Sequence, residues 1–463
     1  MKKKIFILLP DGVGLRNFAY TSFYQKLSNK FEVVFWNNTN FPLKDKLGIE
    51  EVQVYDKGRI HFITDLLKKA KNRIELKLNS KKFNDDTYLS YIFYNNNKDI
   101  KSFVKNRIVD FFSFFYGSER GIQKINKLIE KFEQKTVLYK ESRKQLIEFK
   151  PDIVFCTNQR HTSAIAPILA AKDLKIITIS FIFSWDNLPK ATLVLDPDYY
   201  FVWSDYMKDE LIKYYPKIKK SQIKVTGTPQ FEPHFDDRLD TSKEAFFSQH
   251  NLDIHKDYVC FSGDDITTSP FDQYYLEDLA SSVRKLNSQG FNLGVIYRKN
   301  PTDNSNRYDS VLNKYDDIIS PIEPDWKSMG ENWSSIMPMK EDGKLLKNTV
   351  KYSQLLINIA SSMIFDASIQ NVPCAYLNYN PRKGNTSKWD VYRIYKFIHF
   401  RSMPSNEVVI WINSKKDFEK RIIQVLTKGF ELTEAKNWFQ RINTHPKDSP
   451  EKMITFIEEV IKE

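Results

Sequence analysis

The residues in this chain with the means to do chemistry fall into a few short segments, each just after an apolar run. Tyr297-Arg298-Lys299-Asn300-Pro301 sets two cations beside a proline that stops a strand from continuing. A diphosphate carries about two negative charges, and an arginine binds its oxygens through two parallel N–H bonds. Ala360-Ser361-Ser362 precedes a helix-like stretch, Met363 to Gln370, so two hydroxyls and the free N–H groups of a helix start meet at one point. Asp366, one turn inside, is spaced to accept hydrogen bonds from sugar hydroxyls. A serine that merely caps a helix fits the same letters. Ser262-Gly263-Asp264-Asp265 is a third such turn in the same half of the chain. The three together are more specific than any one.

In the first half the corresponding turns are Asn158-Gln159-Arg160-His161 and Ser184-Trp185-Asp186-Asn187. His161 and Asp186 are candidate general bases, because deprotonating a hydroxyl requires an acceptor held beside it. A lone histidine more often has a structural role, and Trp185 fits a sugar-stacking surface or a core equally well. Asp11-Gly12-Val13-Gly14-Leu15-Arg16-Asn17 follows the first apolar run. Its glycines permit a close backbone approach, but Asn17 stands where the dinucleotide fingerprint needs a third glycine. A substrate-facing loop, with Asp11 as a further catalytic candidate, and a plain tight turn both remain open.

These turns need strands to hold them. Apolar runs at 4–9, 33–36, 153–156, 176–182, 200–203 and 223–226 form one series, and 258–262, 293–297, 318–319, 355–359, 375–377 and 408–412 a second. Helical periodicity separates them, the pattern of βα units around two parallel sheets. The expected domains are 1–238, with a helical insertion over about 59–150, then 239–433, then terminal helices over 434–463. In such sheets ligands bind beyond the carboxyl ends of the strands, where these turns lie. The block Phe111 to Tyr116 suits a greasy acceptor or membrane contact, but burial in a helix core is the commoner fate of such a run.

The chain has 463 residues, 41% hydrophobic and 14% aromatic, which excludes disordered and fibrous classes. Its formal charge of +12 favours anionic partners. That charge is dispersed, and lysines on stretches such as Leu66 to Lys82 read as a solvated face; no nucleic-acid motif appears, so no nucleic-acid partner is expected. Cys156, Cys260 and Cys374 lie far apart in apolar runs, as buried thiols of a reducing compartment do. Lys2-Lys3-Lys4 precedes an apolar run of only five residues before Pro10, which fits a first strand better than a signal peptide. A cytoplasmic protein with at most peripheral contact to an anionic membrane is expected.

The arrangement resembles the GT-B glycosyltransferases, two Rossmann-like domains facing each other across a cleft. The likeness is strongest in Leu355 to Cys374, which is similar to the donor-binding strand, loop and helix of bacterial surface-polysaccharide transferases and related glycerophosphotransferases. Gly227-Thr228-Pro229-Gln230 is similar to the end of their first domain, and Tyr395 to Arg401, with His399, resembles a late loop near their cleft. The resemblance implies transfer of a sugar from a nucleotide-activated donor to a cell-surface glycan, lipid-linked or protein acceptor. It implies that Ser361 and Ser362 hold the diphosphate, Asp366 the ribose, and Arg298 the departing charge. Lys299, Gly263, Asp264 and His399 join the donor-binding set, and neither a metal nor a resident cofactor is implied. Two rivals share the fold: a sugar-nucleotide 2-epimerase, and a non-catalytic nucleotide-sugar or polysaccharide binding protein.

Overall fold

The computed structural model describes residues 2–54, 59–92, 100–330, 335–381 and 389–462. The chain divides into two compact units: the first comprises Met1–Pro229, Phe397–His399 and Ile442–Glu463, the second Gln230–Lys396 and Phe400–Arg441.

Unit 1 is built on a seven-stranded parallel sheet of β1 (Lys4–Leu9), β2 (Glu32–Asn37), β3 (Glu51–Gln53), β4 (Ile153–Cys156), β5 (Ile177–Phe181), β6 (Tyr199–Val202) and β7 (Ile223–Val225), in spatial order β3-β2-β1-β4-β5-β6-β7. The central strands are buried along almost their whole length, which is why they read as continuous Ile/Phe/Val runs instead of alternating. Unit 2 carries β8 (Asp257–Ser262), β9 (Leu293–Arg298), β10 (Ile319–Ile322), β13 (Leu355–Asn358), β14 (Cys374–Leu377) and β15 (Ile410–Ile412), with a separate hairpin, β11 (Trp326–Ser328) and β12 (Ile336–Pro338). Its main order is β10-β9-β8-β13-β14-β15. Counting strands within each main sheet, the order is the doubly wound 3-2-1-4-5-6 in unit 2 and the same with a seventh strand added in unit 1, so each has a switch point between its first and fourth strands. The strand runs expected from sequence all correspond to strands; the three-residue β3 and the hairpin carried too few apolar residues to be read.

The expected division near 238 falls inside unit 2. His234 and Asp236 pack there, where the Nζ of Lys347 donates to the Asp236 carbonyl at 2.9 Å. The terminal helices are shared out: Thr433–Ile442 sets Trp438 against Phe365 of unit 2, whereas Ser449–Lys462 lays Phe456 on Tyr199 and Phe201 of unit 1. Gly227 makes the return possible. Its φ is +73°, and a Cβ there would lie 2.5 Å from the His445 carbonyl oxygen, so any side chain is excluded twice over.

The insertion contains Phe62–Phe83, Ile100–Phe115, Glu119–Glu133 and Val137–Phe149, all helical; residues 93–99 within it lie outside the described set. Two sequence readings change here. The Leu66 to Lys82 stretch is a solvated face only in part: Lys77, Lys81 and Lys82 are exposed, whereas Lys71, Arg73 and Glu75 are buried with Leu67, Ala70 and Ile74. Conversely, the aromatic block is not wholly core. Phe112 and Tyr116 pack inward, but Phe111, Phe114 and Phe115 are 62%, 89% and 68% exposed, since the inward stripe of Ile100–Phe115 is narrow.

Candidate functional site

At the unit 1 switch point the first turn is closed on itself. Asp11 is buried and caps the helix that follows: one carboxylate oxygen accepts from the N–H groups of Val13 (3.1 Å) and Gly14 (3.2 Å), the other from Nδ2 of Asn158 at 2.5 Å. Gly14 allows this approach, since a Cβ there would sit 2.6 Å from the Thr157 hydroxyl. Asp11 therefore acts as the clasp between the β1 and β4 turns, with its oxygens already engaged.

His161 follows β4 and is half-buried. Its Nδ1 lies 2.7 Å from the Ser163 hydroxyl oxygen, which also accepts from Nδ2 of Asn38 at 2.7 Å. Burial lowers its pKa from the ordinary imidazole value; Asp11 opposes this, and Lys68 and Arg160 add to it. The ring is therefore neutral near pH 7. With Nδ1–H donated to Ser163, Nε2 keeps a lone pair for a proton.

Asp186 accepts from the Ser184 hydroxyl (2.6 Å) and Nδ2 of Asn187 (3.0 Å), and it is paired with Lys190 one turn on. Burial alone would raise its carboxyl, but Lys190, His399 and these hydrogen bonds outweigh it and hold the pKa well below the usual carboxylate range. A carboxylate so stabilised is a weak proton acceptor. It fastens the loop over 184–190, where Trp185 is buried edge-on to His399 with ring centroids 5.1 Å apart. His399 itself lies in unit 1 and not with the donor-side residues of the expected second domain: its Nδ1 is 3.0 Å from the Tyr91 hydroxyl, and burial pulls its pKa down to about 3.

In unit 2 the turns after β8, β9 and β13 gather at the other switch point. The N–H of Gly263 donates to the Arg298 carbonyl at 2.9 Å, and the Ser262 hydroxyl reaches the sulfur of Met363 at 2.8 Å, tying the three turns together. Ala360 holds φ at +54°, a left-handed conformation that an alanine adopts only when its surroundings impose it. The Tyr376 hydroxyl donates to the Ser361 carbonyl (2.9 Å), and Ser361 Oγ accepts from the Met363 N–H (3.3 Å). Ser362, the residue at the head of the helix Met363–Ile369, is half-buried beside it.

Three expected ligand contacts are drawn into the protein instead. Arg298 is buried, with Nη2 donating to Asp342 at 2.9 Å, while Asp342 also accepts from the Trp326 indole (2.8 Å) and the Asp325 N–H (2.9 Å). Its Nη1 is buried and without a hydrogen-bond partner. Asp366 is buried against Nε2 of His234 at 2.8 Å, and Gln370 donates to the His234 carbonyl at 3.1 Å. Asp264 has one carboxylate oxygen, Oδ2, buried and unpartnered. Burial, then Asp272 and Asp265, raise its pKa well above the usual carboxylate range. Arg307 straps this loop down through the Asp264 carbonyl at 2.5 Å. Lys299 is half-buried just past Arg298.

Sequence reading missed His234, Asp342 and Arg307, whose partners Asp366, Arg298 and Asp264 are 132, 44 and 43 positions away. Lys190 was visible in principle, four residues after Asp186 on a helical spacing.

The two sheets and their strand order define the GT-B fold. Solved structures agree over nearly the whole chain. The UDP-GlcNAc 2-epimerase of Methanocaldococcus jannaschii superposes with a TM-score of 0.52 at 15% identity, covering 99% of this chain and 100% of that one. A glycosyltransferase from Rickettsia africae ESF-5 gives 0.50 at 11% identity, covering 100% and 98%. The S. aureus MnaA–UDP co-structure gives 0.51 at 12% identity, covering 99% and 97%. Residues 64–229 match the family model of monogalactosyldiacylglycerol (MGDG) synthase. No curated protein matches the chain.

Proposed function

We propose that this protein transfers a glycosyl group from a nucleotide-activated sugar, bound by unit 2, to a lipid-linked acceptor met by unit 1. The observation that carries the reading is the unit 2 switch point, where Gly263, Asp264, Ser361, Ser362, Lys299 and Nη1 of Arg298 come from three adjacent strand ends, with two buried polar atoms left unpaired. Unpaired buried polar atoms are expensive unless a ligand completes them. In this reading the serines and loop N–H groups hold the diphosphate, and Lys299 and Arg298 meet the charge that grows as it departs. His161 Nε2 takes the proton of the acceptor hydroxyl as the hydroxyl oxygen attacks the anomeric carbon. Asp366 reaches a ribose only through the oxygen that His234 leaves open.

A lipid acceptor is supported by the match of residues 64–229 to the monogalactosyldiacylglycerol synthase family model and by the exposed face of Ile100–Phe115. On that face Phe103, Phe111, Phe114 and Phe115 stand beside Lys101 and Lys105, the composition of a helix lying on an anionic bilayer surface.

The test is calorimetric titration of nucleoside diphosphates, followed by incubation of the best-bound nucleotide's sugars with lipid, glycan and peptide acceptors. Ser361→Ala with Ser362→Ala should weaken nucleotide binding about tenfold or more, one lost charge-assisted bond being worth about 1.5–3 kcal/mol. Failure of every nucleotide to bind would sink the reading. Solved neighbours that are 2-epimerases support a second one: appearance of an epimerised sugar nucleotide with no acceptor present would select it.

A further inference from the structure

Unit 1 contains a cavity of about 680 Å³, within the usual range for small-molecule sites, that neither the switch-point turns nor the proposed transfer uses. Its walls come from the helices Phe62–Phe83, Glu119–Glu133 and Ile165–Asp173, from the segment 193–196 before β6, and from 214–218 before β7. Those last two segments, and Lys172 at the end of its helix, lie at the amino ends of the parallel strands. The cavity is thus centred on the edge of the sheet opposite Asp11, His161 and Asp186.

Three features describe what would fill it. The lining mixes polar side chains with a set of aliphatic ones, Ile122, Ile165, Ile168, Leu169, Leu193 and Leu195 among them. Glu75, 8% exposed, is also on the wall, and its Oε2 is buried without a hydrogen-bond partner, while Lys71 lies 3.7 Å from Oε1 and donates to the Leu193 carbonyl at 2.8 Å. Burial raises the Glu75 carboxyl to about 7 despite Lys71, so near neutrality it is shared between an acceptor and a neutral acid. Third, the outer lining carries Lys81, Lys82, Lys127 and Lys217, all exposed, against Glu119 and Glu130; Lys172 is already paired with Asp196. Glu75 and Lys82 share one stripe of their helix, seven residues and therefore about 10 Å apart along its axis.

We infer that this cavity is a binding site for a single-chain anionic amphiphile, whose hydrocarbon lies along the aliphatic walls, whose anionic head meets the outer lysines, and whose chain carries a hydroxyl that donates to Glu75 Oε2. The site is separate from the lipid-acceptor reading, which the exposed face of Ile100–Phe115 carries.

Dodecanoate and 12-hydroxydodecanoate, both below their micelle concentrations, test it by calorimetry on the full chain, with inorganic phosphate as a head-only probe. Both chains should bind saturably at one site, the hydroxylated one about three- to tenfold tighter, and phosphate should not bind in this cavity. Leu169→Trp fills the cavity and should abolish both. Glu75→Leu should erase the preference for the hydroxylated chain while leaving dodecanoate bound, with Glu75→Gln as the milder variant should Glu75→Leu fail to fold. Raised salt should weaken both chains through the lysines. Phe111→Ser with Phe114→Ser and Phe115→Ser should bind as the unaltered protein does. Absence of saturable binding, indifference to Leu169→Trp, a preference that survives Glu75→Leu, or loss of binding in the phenylalanine variant would each overturn the inference. None of these outcomes bears on nucleotide binding by unit 2.

Discussion

The two switch points share one topology and use it in opposite ways. In unit 1 the first turn is complete: Asp11 satisfies Val13, Gly14 and Asn158, and His161 stands beyond the clasp at the end of the β4 turn. In unit 2 the turns are tied together by backbone and hydroxyl contacts, yet Asp264 Oδ2 and Arg298 Nη1 are left buried and unpaired. A strand order fixes where a ligand can approach; the hydrogen-bond ledger at that place separates framework from binding surface.

The sharpest way to break the comparison is in unit 1. His161→Ala should lower turnover about 10²- to 10⁴-fold with melting nearly unchanged, whereas Asp186→Asn should act mainly through stability, because Asp186 is locked to Lys190. Equal losses of turnover at normal stability would restore Asp186 as the base. In unit 2, Arg298→Ala removes one half of a buried ion pair and should cost about 3–5 kcal/mol in denaturant unfolding. A loss below about 1 kcal/mol would mean that the guanidinium is more available to a ligand than its pairing implies.

Two buried groups of unit 1 give opposite pH slopes. Glu75 is raised from 4.5 to about 7, so the native state binds the extra proton and stability falls as pH rises through that window; Glu75→Gln should remove the fall, about 3 kcal/mol at most. His399 is lowered from 6.5 to about 3, so its contribution is present above 6.5 and is lost as pH falls toward 3. Unfolding followed between pH 4 and 8 checks both signs. The smallest effect expected is at the clasp: Asp11→Ser keeps a capping oxygen and loses the Asn158 contact, and should cost about 1–2 kcal/mol without changing nucleotide affinity.

The sequence by itself determined the two sheets. Buried parallel strands must be continuous apolar runs, and chain order with short crossovers leaves few ways to assemble them, so Lys4–Leu9 through Ile410–Ile412 were legible. It also determined that the turns after those runs hold the polar residues, since strand ends are where a parallel sheet meets solvent. Tertiary structure alone decided what each polar residue does. Arg298 and Asp366 look in sequence like ligand contacts and prove to be joined to Asp342 and His234, 44 and 132 positions away, because a buried charge takes whatever partner the fold brings within hydrogen-bond distance. Likewise Lys71 and Glu75 read as solvated surface until the insertion helices covered them, and Phe114 reads as core until the same packing left it outside. Burial is settled by what lies opposite a residue, and that neighbour comes from another part of the chain.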